Sequence, residues 1–201
     1  MDAVRRSPTE PTGIVAGKRR RSTAEPFPST VIIDASSAIL LAKAGLMQAC
    51  CDQFQVLMTH AVFEEVTVPR QAGAEAFRAM AYRRPGLIVI GEPDRLLACH
   101  VFSDLERLHS GERDTLTHYL NGKARFVIID DGKGVQVCRR HRIPHVNALL
   151  LPAVLHHCGR LSAHQAHAYF QRIRRLGHYS AGVVAWAEQC SPADLDFFIL
   201  E

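Results

Sequence analysis

Apolar positions along the chain fall into short uninterrupted runs separated by longer amphipathic stretches. Val31-Ile32-Ile33 is a β-branched run closed by Asp34, and Phe126-Val127-Ile128-Ile129 is a second, closed by Asp130-Asp131. Runs of this length without a polar alternation predict strands covered on both faces, as in a parallel sheet. Phe54 to Met58, Leu87 to Ile90 and the short pair His145-Val146 after Pro144 predict three more strands. Helices are predicted between them. The first is capped by Ser36 or Ser37, runs to Ala44 and is broken by Gly45; a second runs from Leu46 to Cys51. His60 to Val66 and Gln71 to Tyr82 follow, the latter with Ala74, Phe77 and Ala81 on one face. Leu96 to His109 predicts a helix interrupted by Ser110-Gly111, and Glu112 to Leu120 predicts another, ended by Asn121-Gly122. Gly132 to His141 follows the fourth strand, and Ala148 to Cys158, Ser162 to Leu176 and Ser180 to Gln189 make a helical C-terminal third.

Strands alternating with helices predict an α/β fold, with three layers (α/β/α) around a central, mainly parallel sheet plus C-terminal helices. Residues 1–28 depart from this pattern. Pro8, Pro11, Pro26 and Pro28 break the segment, and Lys18-Arg19-Arg20-Arg21 carries no apolar periodicity. The expectation is a basic, disordered tail at 1–28 and a single domain over 29–201, with a helical extension from about residue 177.

Composition supports a globular chain: of 201 residues, 47% are apolar and 22% charged, which excludes a coiled coil or a fully disordered protein. No apolar run approaches the ~20 residues of a membrane span, and no apolar stretch behind Arg5-Arg6 makes an export signal. Cys50, Cys51, Cys99, Cys138, Cys158 and Cys190 form no C-x-x-C pair, so reduced thiols and a cytoplasmic location are expected. The net charge is +4, but residues 1–28 hold +3 of it. Basicity is therefore a poor guide to what the folded part binds.

The carboxylates are a better guide. In a parallel sheet, ligands bind beyond the carboxyl ends of the strands, where Asp34, Asp130 and Asp131 are expected. Glu112 opens a helix after Gly111, and Glu64 and Glu65 sit on the short helix after the second strand. Like charges gathered at one edge repel, and desolvation adds to the cost. A hard divalent cation offsets both, and an all-oxygen ligand set suits Mg²⁺ or Mn²⁺. Such ions activate water and stabilise phosphoryl displacement, so metal-dependent phosphodiester hydrolysis is the expected chemistry. Cys138, His141 and His145 have a spacing that zinc accepts, but no fourth ligand is near in sequence. No Gly-rich nucleotide cradle is present. Ser36 stands where a dehalogenase-like phosphatase needs a second Asp, and the acid pair comes too late for a receiver domain.

Val31-Ile32-Ile33-Asp34-Ala35-Ser36-Ser37 with Leu41-Ala42-Lys43-Ala44-Gly45-Leu46 resembles the opening of a PIN domain, more narrowly of the VapC-related PIN proteins. Val62-Phe63-Glu64-Glu65-Val66, Gly111-Glu112-Arg113-Asp114-Thr115-Leu116 and Ile128-Ile129-Asp130-Asp131-Gly132-Lys133-Gly134 are similar to the later acid-bearing segments, in family order over about residues 31–176. The resemblance implies a Mg²⁺- or Mn²⁺-dependent endoribonuclease acting on RNA, commonly the toxin of a type II toxin–antitoxin pair. It also implies a cognate antitoxin and a homodimer as partners. Carried over, Asp34 is the first metal ligand, Ser36 supports the metal shell or a phosphate, Glu65 fits the second acid better than Glu64, and Glu112 is the third. Asp130 and Asp131 both remain for the last. Family members often carry an Arg just after the paired aspartates, where this chain has Gly134-Val135-Gln136; Arg139 or Arg140 is the expected substitute for holding substrate. The alternative class is a PIN-fold protein that binds nucleic acid or a partner without cleaving.

Overall fold

The computed structural model describes residues 29–71, 73–82, 86–94 and 103–198. The predicted tail at 1–28 lies outside the described residues, as does the beginning, 96–102, of the helix predicted from Leu96.

Five strands form one sheet: β1 (Thr30–Ile33), β2 (Gln55–Thr59), β3 (Leu87–Ile90), β4 (Phe126–Ile128) and β5 (His145–Val146). Their order is β3-β2-β1-β4-β5 and every pairing is parallel. The chain therefore builds outwards from β1 in one direction, then returns to β1's other side with β4. That reversal puts a crevice at the carboxyl ends of β1 and β4, the place where open α/β sheets bind ligands. The Asp34 N–H donates to the Ile128 carbonyl at 3.0 Å, continuing the β1–β4 ladder one residue past the strand.

Alternate residues of each strand feed two cores, which is why β1 and β4 read as unbroken apolar runs. Val31, Ile33, Val56, Met58, Phe126 and Ile128 pack on one face against α1 (Ala35–Ala44), α2 (Met47–Gln53), α3 (His60–Val66), α4 (Ala74–Ala81) and the C-terminal helices α7 (Leu151–His157), α8 (Ala163–Leu176) and α9 (Ala181–Gln189). Ile32, Leu57, Val127 and Ile129 pack on the other, against Leu116 of α5 (Ser110–Leu120) and Val137 and Cys138 of α6 (Gly132–Arg140). The result is the three-layer α/β/α arrangement expected. Phe77 and Phe126 are core residues, and Phe63 and Phe170 pack against the core.

Several boundaries differ from the sequence reading: α1 is capped by Asp34 instead of Ser36 or Ser37, and α4 begins at Ala74 instead of Gln71. Helix α5 begins at Ser110, so Ser110-Gly111 forms its first turn instead of an interruption; His109, in extended conformation, is the cap. Within the stretch expected to be helical to His109, the described part is one 3₁₀ segment, Ser103–Arg107. Helix α7 starts at Leu151, since Asn147 takes the chain through a turn by accepting the Leu150 N–H at 3.0 Å. Beyond α9, a short helix α10 (Pro192–Leu195) and a 3₁₀ turn bring Phe198 edge-on to Phe126 with ring centres 4.9 Å apart.

Candidate active site

The first acid is placed by β1. Asp34 leaves the strand in extended conformation and caps α1, its Oδ1 accepting the Ser37 N–H at 2.9 Å. Ser36 Oγ donates to Oδ2 at 2.5 Å. Only 1% of Asp34 is exposed. Burial, with some help from Asp130, pushes its carboxyl up to about 7, against the pull of the two serines.

Asp131 caps α6 in the same way, its Oδ1 accepting from the Lys133 and Gly134 N–H groups at 2.8 and 3.2 Å. Glu112 sits in the first turn of α5, where its charge is favoured by the helix dipole. Its Oε2 is buried with no hydrogen-bond partner, and burial together with the Asp131 charge raises its pKa. Gly111 is what lets α5 come this close to α3: a Cβ there would stand 3.1 Å from Val62 Cγ2 and 3.9 Å from Glu65 Oε2.

These residues line one open cleft of about 450 Å³: Asp34, Ser36, Glu65, Glu112 and Asp131, with His109 and the Ser110-Gly111 turn. Glu64 is not among them; it points away and meets His60 at 3.5 Å on the surface. Asp130 is not on the cleft wall either. It is held by three donors: Oδ2 accepts from Ser37 Oγ at 2.7 Å and the Ala148 N–H at 2.8 Å, and Oδ1 accepts from Tyr179 Oη at 2.5 Å. Burial raises the Asp130 pKa while these three donors pull it down. Burial and Asp130 in turn hold Tyr179 protonated far above the usual phenol range. Asp130 thus ties α1, the turn before α7 and the approach to α9 to one point.

Arg139 and Arg140 do not line the carboxylate cleft. They end α6, about 12 Å along the helix from Asp131 at 1.5 Å per residue. Arg140 pairs with Asp104 at 2.5 Å. Cys138, His141 and His145 do not converge: Cys138 is buried in the core, His141 meets Asp104 at 3.2 Å, and His145 bonds the Ile143 carbonyl at 2.8 Å.

The donor set on the cleft is all carboxylate and hydroxyl oxygen, which fits a hard divalent cation. The unpartnered Glu112 Oε2 and the desolvated Asp34 both fit the same group, because a cation would relieve each. Among the described residues no three His, Cys, Asp or Glu side chains already enclose an ion position. Asp34 and Asp131 each commit one oxygen, Oδ1, to a helix cap.

One family model, DUF3368, described as a PIN domain, matches residues 30–185. The chain belongs to the PIN domain family. No curated protein and no solved structure matches it. The PIN domain is a nuclease-type fold whose members bind nucleic acid and usually employ divalent metals. Among the described residues no helix is long and apolar enough to cross a membrane. The match runs past α8 into α9, so it takes in Tyr179, which lies beyond the acid-bearing motifs. Ser37, His109 and Tyr179 are the site residues that sequence reasoning missed. Ser37 stood beside a named residue in the Asp-Ala-Ser-Ser run, whereas nothing in the sequence links Tyr179 to an acid 49 residues earlier.

Proposed function

We propose that this PIN domain is a Mg²⁺- or Mn²⁺-dependent endoribonuclease. The observation that carries the reading is the gathering of Asp34, Glu65, Glu112 and Asp131 on one cleft at the β1–β4 crevice, with a Glu112 oxygen buried and unpartnered. Asp34, Glu112 and Asp131 would hold the ion, which when bound supplies Lewis acidity and an activated water. Ser36, by donating to Asp34 Oδ2, fixes the carboxylate that faces the cleft. Glu65 is exposed at the mouth, where a carboxylate can take a proton from the attacking water. Asp130 acts from off the cleft wall: its bonds to Ser37 and Tyr179 hold the β4 end against α1.

The resemblance of the Asp-Ala-Ser and Leu-Ala-Lys-x-Gly-Leu segments to VapC-related proteins supports a further step. The chain would be the cytoplasmic toxin of a type II pair, working as a homodimer and silenced by a cognate antitoxin. The deciding assay incubates the purified chain with single-stranded RNA at increasing Mn²⁺. Cleavage that needs the ion, and that falls by at least about a hundredfold in Asp34→Asn and Glu112→Gln, is the expected outcome. Ion-independent degradation, or degradation unchanged in both variants, would leave only a non-cleaving PIN-fold binder. Growth arrest on expression, rescued by the neighbouring gene product, is the expected outcome for the toxin role.

A further inference from the structure

A second cavity, of about 540 Å³, opens at the β5 edge of the sheet. Val135 and Arg139 of α6, His145 of β5, Asn147 just after it, and Ser180 and Trp186 at α9 are on its wall. It is separate from the carboxylate cleft but built on the same parts. Asp131, Val135 and Arg139 follow each other at four-residue intervals, so they share one face of α6. Asn147 precedes Ala148 and Ser180 follows Tyr179, the two residues whose donors meet Asp130.

The wall has a definite chemistry. No carboxylate is on it, and Arg139 is exposed with no ion pair among the described residues. Trp186, the only tryptophan of the chain, leaves 55% of its surface open. Burial, with Arg139 adding to it, lowers the His145 pKa. Its Nδ1 donates to the Ile143 carbonyl at 2.8 Å, so Nε2 is left as an acceptor. The Asn147 Oδ1 is taken by the Leu150 N–H, which leaves its amide N–H groups as donors. An acceptor and a donor two residues apart match the mixed edge of a nucleobase. An open indole gives the base a stacking surface, and an unpaired guanidinium takes its phosphate.

We infer that this cavity holds one unpaired nucleotide of a single-stranded nucleic acid whose neighbouring phosphate lies in the carboxylate cleft. Duplex is excluded because its Watson–Crick edges are paired and its base faces stacked, leaving neither for the wall. The volume falls within the ~300–1,000 Å³ of small-ligand sites. Taking the strand as RNA rests on the nuclease reading; the cavity itself does not.

Trp186 reports on its own site. Short oligouridylate RNA is titrated into the full chain with Ca²⁺ in place of Mn²⁺, a hard cation that offsets the charge of the cleft with weaker Lewis acidity, and indole fluorescence is followed. Saturable quenching by the single strand, and none by an RNA duplex, is expected. In polarisation assays with labelled RNA, Trp186→Ala is expected to weaken binding at least about fivefold while Trp186→Phe stays near wild type. Arg139→Gln is expected to weaken it similarly and to lower the slope of log affinity against log salt by about 0.7. Binding without quenching, or binding indifferent to both Trp186→Ala and Arg139→Gln, overturns the subsite even if the wild type cleaves RNA. Quenching by a wild type that fails to cleave in Mn²⁺ upholds the subsite and sinks the nuclease reading. A blue shift that depends on protein concentration, with no response to RNA, would make this face a contact between copies of the chain and overturn the inference.

Discussion

Asp34 and Asp130 meet burial in different ways. Asp130 has three donors for a buried charge, whereas Asp34 is more deeply buried and has two serines. Its carboxyl therefore moves from 3.8 to about 7. A carboxyl raised on folding binds its proton more tightly folded than unfolded, so it costs stability as pH rises from about 4 through about 7. Glu112 and Asp130 shift in the same direction. In EDTA the wild-type melting temperature should fall over that window, and Asp34→Asn should flatten the fall; an equally steep fall in the variant would remove Asp34 as its source. Tyr179→Phe tests the other acid. Deleting one of three donors to a buried carboxylate should cost about 1–3 kcal/mol in urea unfolding, with the far-ultraviolet circular dichroism unchanged. At this scale the sequence was legible in part. Asp34, Glu112, Asp130 and Asp131 were visible because each ends a strand or opens a helix, but Glu64 against Glu65, and Asp130 against Asp131, differ only in which way a side chain turns. That direction is set by packing partners distant in the chain.

At the scale of elements, the strands were readable because burial on both faces leaves Val31–Ile33 of β1 and all of β4 apolar. Helix ends were less so. The Ser110-Gly111 pair looks like a break, yet glycine is tolerated in a first turn, and here its missing side chain admits Val62. Gly134 does the same for α6. A Cβ there would stand 2.3 Å from Cδ1 of the fully buried Ile129, and its N–H is one of the two that hold Asp131. Gly134→Ala should therefore cost about 1–3 kcal/mol by overpacking. It should lower metal-dependent activity more than Tyr82→Ala, a substitution at an exposed position away from both cavities. Equal stability of wild type and Gly134→Ala would show that α6 has room to move.

For the whole molecule, charge is divided by region. Residues 29–201 carry close to zero net charge, and the β1–β4 crevice is locally acidic, so a polyanion meets repulsion there until cations are bound. Mn²⁺ should raise the melting temperature, and by more at pH 8 than at pH 5, because below its folded pKa of about 7 Asp34 holds a proton that the ion must displace. An increment independent of pH would place the ion away from Asp34.

The bond from the Asp34 N–H to the Ile128 carbonyl joins residues 94 apart in sequence, and Tyr179 closes on Asp130 later still. On a ribosome, β1 emerges long before β4 exists, and its partner acids are absent from every shorter nascent chain. Pairings at such separations form slowly and late. Degradative capacity would thus arrive only when most of the polypeptide has been made. On the ribonuclease reading proposed above, the messenger being translated and the ribosome translating it would be spared until synthesis is nearly complete.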